Sequence, residues 1–441
     1  MNLLEPIFDK VWFETRCFPK FQSFPFGFDT NLRHWSKSLW VNCIKVITVI
    51  SSRSGHSRSR EEFPIKKKKL KLFSFFAGVG LLDLGFEMDG FEISFVNELR
   101  PSFMAAYKYS RERPGFGEPS YGYDTGDSKR FLEGDLKKRL SKFIHDVRRN
   151  GQLIGFIGGP PCPDFSIGGK NRGYQGDQGR LSQSFIEIIC QQRPDFFLFE
   201  NVKGLWQTSR HRIFYEGLKR TLLAARYAIT ERLINAIEYG TPQDRERIIL
   251  FGVSSKLLSD LKVKGLNGSG ILQEGIFPWR RYAVYPGREA FGFPWPKTDT
   301  FEEDSIRPCP EGVPVELTVQ HWFDKNDVKN HPNTEHFFKP RAGLARFMSV
   351  DEGDDSRKSF KRLHRWRYSP TACYGNNEVH IHPYKPRRIS VAEALAIQSM
   401  PKDFVLPPDM TLTDMFKAIG NGVPYIASRA LAKSISTFLR C

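Results

Sequence analysis

The chain has 441 residues, 40% of them hydrophobic, and 66 Lys plus Arg against 49 Asp plus Glu leave a formal net charge of +17. That length can bury a large core in two lobes, and the positive excess suits a polyanionic partner, most simply nucleic acid. Seven scattered cysteines without a CxxC pair argue against a zinc site or a disulfide framework and for a reducing, cytoplasmic setting.

Residues 1–69 read as an N-terminal extension. Its strongest apolar run, Leu39 to Ile50, is short and interrupted by Asn42 and Lys45, too little to cross a bilayer. The segment Ser51 to Arg60 reads as a flexible basic linker, and the lysine run Lys66–Lys69 as a solvated strand entrance. Then short apolar runs alternate with helical patterns: Leu70–Phe76, Phe91–Val96, Leu153–Ile157, Phe196–Phe199 and Ile248–Val253. Strands separated by segments of helical length predict a parallel α/β sheet covered on both faces.

The first strand runs into Phe76-Ala77-Gly78-Val79-Gly80 and a helix beginning near Leu81. Glycines there admit a ligand close to the backbone, and the start of the helix favours an anionic group. The second strand ends at Asn97-Glu98, where an acid commonly takes ribose hydroxyls. Asp83 breaks the full GxGxxG pattern, which disfavours a dinucleotide and favours a nucleoside with a small charged tail such as S-adenosylmethionine. An ordinary tight turn would look similar.

The strand Leu153–Ile157 leads into Gly158-Gly159-Pro160-Pro161-Cys162. A cysteine on a loop stiffened by Gly and Pro is placed like a nucleophile, whereas a packing residue needs no such backbone control. Glu200 ends the strand Phe196–Phe199; it could cap a helix, or, in an apolar setting, carry a proton near neutral pH. Arg245 and Arg247 alternate along an expected strand from Gln243 to Val253 and would share one face. From about 254 to 367 Pro, Gly, charges and aromatics mix without sustained periodicity, which predicts a second, irregular lobe.

In this order the residues resemble the DNA (cytosine-5) methyltransferase family over roughly residues 70–441. Phe76-Ala77-Gly78-Val79-Gly80 is similar to its cofactor loop, Pro161-Cys162 to its Pro-Cys pair and Phe199-Glu200-Asn201-Val202 to its Glu-Asn-Val motif. Gln243-Asp244-Arg245-Glu246-Arg247, the segment Arg388–Ala394 with Gln398, and Gly420-Asn421-Gly422-Val423-Pro424 complete the series. Each is weak alone; six in the family's order are not. Pro163 stands where Gln is usual, and Leu81-Leu82 where a further glycine is frequent.

The resemblance implies a Rossmann-like methyltransferase domain with a mixed, mostly parallel sheet, made from residues 70–253 and 388–441, and a smaller target-recognition domain at 254–387. Cys162 would add to C6 of a flipped cytosine, with Glu200 at N3, Arg247 on the base and Arg245 supporting the cysteine loop. S-Adenosylmethionine would be held by Phe76, Ala77, Gly78, Gly80, Glu98, Asp135, Pro161, Asn421 and Val423. Ser166, Gln243, Arg280, Arg281, Arg365 and Thr371 would meet DNA, with Arg362, His364 and Arg367 as further readers. No metal is expected. The implied partner is double-stranded DNA, bound by a monomer, with a restriction endonuclease acting at the same site and no membrane. A transfer-RNA methyltransferase and a catalytically silent DNA-binding relative are the alternatives.

Overall fold

The computed structural model describes residues 70–112, 115–161, 179–340, 344–372, 374 and 378–439. Cys162, Ser166 and the extension 1–69 lie outside these residues.

Among the described residues seven strands form one sheet: β1 (Lys71–Phe75), β2 (Glu92–Glu98), β3 (Tyr123–Thr125), β4 (Ile154–Gly158), β5 (Phe196–Val202), β6 (Tyr227–Asn235) and β7 (Glu246–Ser254), in the order β3-β2-β1-β4-β5-β7-β6. The five strands from β3 to β5 pair in parallel and β7 runs antiparallel to both its neighbours. The five expected strands are present within a few residues. Two more were not expected: β3 is only three residues long, and β6 carries Thr230-Glu231-Arg232 on a half-exposed edge, so neither gives an apolar run.

Helices α1 (Leu81–Glu87), α2 (Pro101–Glu112), α3 (Gly134–Arg149), α4 (Gly179–Gln192), α5 (Lys203–Gln207), α6 (Ser209–Ala224) and α7 (Ser255–Asp260) accompany the strands. The rest of the chain adds α8 (Val319–Lys325), α9 (Leu344–Met348), α10 (Val391–Ile397), α11 (Leu412–Asn421) and α12 (Tyr425–Leu439). One sheet face packs on α1 and α12 through Leu82, Phe86, Phe251, Leu431 and Phe438; the other packs on α3, α4 and α6 through Phe73, Phe156, Ile144, Phe185 and Leu222. No helix among the described residues is long and apolar enough to cross a membrane.

The chain after β7 does not leave the sheet at once. Phe277 lies 4.5 Å from the Phe251 ring and 5.6 Å from that of Phe438, and the Tyr282 and Thr437 hydroxyls are 2.7 Å apart. Residues 255–282 thus cover the sheet core rather than opening the second lobe. Beyond them regular structure is sparse, as expected, and buried cations tie the coils. The Arg362 guanidinium reaches the carbonyls of Phe347, Val350, His382 and Lys385 and lies over the Phe301 ring.

Candidate active site

The strand order reverses between β1 and β4, and the carboxyl ends of such strands form the crevice where open α/β sheets take ligands. β1 runs into the loop 76–80 there. Phe76 has φ 54°, unusual for a bulky residue, and its ring sits edge-on to Phe185. Gly78 and Gly80 are also left-handed, at φ 60° and 81°. The Gly78 N–H donates to Glu98 Oε2 at 2.9 Å, and the Arg100 N–H donates to Oε1 at 2.9 Å. Burial raises the Glu98 pKa, with these backbone bonds opposing it. A Cβ on Gly78 would meet nothing within 4 Å, so open space borders the loop.

Beside Glu98 stands Leu99, a large apolar side chain left 56% exposed. Sequence reasoning passed it over, because an isolated leucine carries no signal until its neighbours are placed. Asn97 donates to Asp124 Oδ2 and to the Gly126 carbonyl, each at 2.9 Å, which fastens β3 against this end of β2. Open space, a carboxylate with lone pairs to spare and an apolar side chain fit a nucleoside with a polar tail.

β4 ends in Gly158 and leads to Pro160 and Pro161. The Asn201 amide donates to the Pro160 carbonyl at 3.3 Å, and its own Oδ1 accepts from Val202 N–H at 2.9 Å, so β5 holds the segment that enters the cysteine loop. Glu200, one residue earlier on β5, is 6% exposed. Its register partner on β7 is Ile249, two residues past Arg247, and the Arg247 Nε lies 3.0 Å from Glu200 Oε1. Burial raises the Glu200 pKa, while Arg247 and Arg245 pull it down. A carboxyl in this state can give a proton to a ligand nitrogen.

Arg245 precedes β7 and is 1% exposed. Its Nη1 donates to the Ala372 carbonyl at 3.0 Å, and its Nη2 donates to those of Gly420 and Gly422 at 2.7 and 2.9 Å. The expected strand therefore starts three residues late, and the two arginines diverge: Arg247 meets Glu200, and Arg245 clamps two distant segments. Gln243 is wholly buried, its Oε1 accepting from Ala372 N–H at 3.3 Å, and the Thr371 hydroxyl donates to the Asp244 carbonyl. Through this clamp the C-terminal motif returns to the cofactor loop. A Cβ on Gly422 would lie 2.4 Å from Leu81, and Val423 packs in the core that holds Leu82; Asn421, just before them, is exposed.

Other candidates stand apart. Asp135 lies in the first turn of α3, with its side chain 97% exposed and paired with Lys138. It takes no part in the network around Glu98, where Asp124 is the acid beside Asn97. Arg365 is 3% exposed; its guanidinium grips both Glu352 oxygens, at 2.8 and 2.7 Å, and Ser305, which leaves no open fork for a phosphate. His364 meets Asp299, and Arg367 meets Asp355. A run of basic residues reads the same whether it faces DNA or cements a coil. Arg280 and Arg281 are exposed, on the segment that covers the sheet core.

The sequence matches the family described as C-5 cytosine-specific DNA methylase over residues 70–437. It is 53% identical over 374 residues to the Type II methyltransferase M.NmeDI of Neisseria meningitidis serogroup C, covering 85% of each chain. It is 26% identical over 378 residues to the Type II methyltransferase M.MthTI of Methanothermobacter thermautotrophicus, covering 83% of this chain and 97% of that one. Among solved structures, a prophage-encoded protein of E. coli described as a DNA modification methyltransferase superposes with a TM-score of 0.56 at 22% identity, over 85% of this chain and all of that one. The S. pombe Dnmt2 methyltransferase gives 0.51 at 11%, over 84% and 99%. At these identities the structural likeness concerns the fold. The family match spans nearly the whole described fold, so this chain belongs to the C-5 cytosine-specific DNA methylases and is a DNA cytosine-C5 methyltransferase.

Proposed function

We propose that the chain methylates C5 of a flipped-out cytosine in a short duplex sequence, using S-adenosylmethionine and a covalent Cys162–C6 intermediate. The observation that carries this reading is the buried Glu200–Arg247 pair, set at the carboxyl end of β5 beside the segment that leads to Cys162. Cytosine C5 is a poor nucleophile while the ring is aromatic. Addition of the Cys162 thiolate to C6 pushes charge towards N3 and O2, where Glu200 supplies a proton and Arg247 a fixed cation. C5, now enamine-like, would accept a methyl group; loss of the C5 proton to a base, of the thiolate from C6 and of the N3 proton back to Glu200 would then restore the aromatic ring. A stacked base shields C6, so the target must leave the duplex at a cost of a few kcal/mol.

S-Adenosylmethionine supplies an electrophilic methyl on a sulfonium. Glu98 would hold the ribose hydroxyls, Leu99 would cover the adenine, and the loop Phe76 to Gly80, with Pro161, Asn421 and Val423, would close around the rest. Asp135, by its exposure, would contribute least. Arg245 would act by holding the C-terminal motif against this loop. Of the proposed DNA contacts, Ser166, Arg280 and Arg281 would meet the backbone or base edges, while Gln243 and Thr371 would shape the floor and Arg365 would brace the recognition region that follows residue 282. The protein would act as a monomer in the cytoplasm beside an endonuclease of the same specificity.

The test is base-resolution mapping of 5-methylcytosine in DNA from a methylation-free host expressing the chain, beside Cys162→Ala. Methylation at one short sequence, absent from the variant, is the expected result. Residual turnover in the variant above a few per cent would remove Cys162 as nucleophile. Unmodified DNA with intact cofactor binding would redirect the search to RNA.

A further inference from the structure

Beneath the loop 76–80 lies a buried ionic cluster that no step above uses. Asp83 of α1, 1% exposed, accepts hydrogen bonds from the Ser74 and Tyr107 hydroxyls, both at 2.9 Å. Arg111 of α2, 4% exposed, lies 3.6 Å above the Tyr107 ring and pairs with Glu87 at 3.0 Å. Its Nη2 donates to the Gly80 carbonyl at 3.0 Å, and its Nη1 reaches that of Val79 at 3.5 Å. A Cβ on Gly80 would come within 2.3 Å of that guanidinium. Glycine is therefore required at 80 for two reasons, the left-handed backbone and the room for Arg111.

We propose that Arg111 is a positioning residue for the cofactor loop: by taking two successive loop carbonyls it sets the path of the chain from Gly78 to Leu81, and so sets the affinity for S-adenosylmethionine. The inference rests on the reading that this loop, with Glu98, holds that molecule. As mere cement the cluster would be a poor choice, because a buried ion pair can often be replaced by apolar packing without loss of stability. Apolar packing cannot donate to carbonyls. Each carbonyl fixed inward also turns the N–H of its planar peptide the other way, which leaves the loop one shape. Lysine would keep the charge and lose the planar fork that spans Val79, Gly80 and Glu87.

The experiment measures S-adenosylmethionine binding by calorimetry, and steady-state methyl transfer, on the full chain with Arg111→Lys, Arg111→Met, Glu98→Ala and Leu222→Ala. In Arg111→Lys the cofactor Kd and KM are expected to rise about tenfold, the size of one lost charge-assisted hydrogen bond, with kcat at saturation and duplex Kd within about twofold of wild type. Leu222→Ala, a core truncation on the buried face of α6, should lower the thermal midpoint without moving the cofactor Kd. Wild-type cofactor affinity in Arg111→Lys would overturn the proposal, and so would an equal loss in Leu222→Ala. If Arg111→Met does not fold, Arg111→Lys decides alone. Unchanged affinity in Glu98→Ala would instead remove the reading of the loop itself, while loss there with none in Arg111→Lys would remove only the role of Arg111.

Discussion

A Cβ on Gly159 would stand 2.5 Å from Oε2 of Glu200, closer than side-chain carbons approach carboxylate oxygens. The loop leaving β4 and the acid on β5 are therefore fitted to each other through the missing side chain. In Gly159→Ala the carboxyl must swing away from its seat beside Arg247. Single-turnover methyl transfer is expected to slow by about 10²-fold, the low end of what a general acid contributes, while the variant still folds. A wild-type rate would show that the seat is not needed.

Glu200→Gln keeps the shape and removes the transferable proton. Its kcat should fall about 10²- to 10⁴-fold. Burial raises the Glu200 pKa above 4.5, so wild-type activity that needs the protonated acid is full below that raised pKa and declines as pH rises through it. A kcat profile in which this decline persists in the variant would assign it to another group.

Arg245→Ala leaves three carbonyls, of Ala372, Gly420 and Gly422, without their cation. Loss of a buried guanidinium with its partners left in place should cost about 3 kcal/mol or more in urea unfolding. Arg245→Ala unfolding at the wild-type urea midpoint would contradict the clamp.

Acid should unfold the protein earlier than its surface charges suggest. Burial lowers the His380 pKa from 6.5 to about 3, so the folded state resists the proton that the unfolded chain accepts. The stability this carries is complete above pH 6.5 and is lost as pH falls from there towards 3. Glu393, whose burial is outweighed by His382 and Arg387, has a pKa lowered from 4.5 and adds a second loss below that value. Thermal midpoints measured from pH 7.5 to 4 should decline, and His380→Gln should flatten the upper part of the decline. A parallel curve for the variant would exclude His380.

Much of the catalytic half was legible in the chain. Continuous apolar runs marked β1, β2, β4, β5 and β7, because strands buried on both faces have no polar side to hide them. Glu200 and Arg247 were legible as types in order, and pairing β5 with β7 turns that order into a 3.0 Å contact. Direction was not legible. Arg245 and Arg365 carry the same fork as Arg247, yet carbonyls and Glu352 absorb them, a choice made by segments more than a hundred residues away or by coils without periodicity. Leu99 and Arg111 were missed for the same reason: one is an ordinary leucine and the other an ordinary helix cation until the loop beside them has a shape.

The helix α12 lies against α1, where the Ser428 hydroxyl donates to the Leu82 carbonyl, and its Phe438 ring sits 5.4 Å from that of Phe251. It follows in sequence every strand it covers. A nascent chain still tethered to the ribosome before residue 425 has that sheet face covered only by α1 and residues 255–282, and the apolar side chains that meet Leu431 and Phe438 are open to chaperones and to aggregation. The cofactor loop, backed by Gly422 and braced by α1, has no finished support during that interval. The part of the chain made last is thus the part that completes the cover of this sheet face.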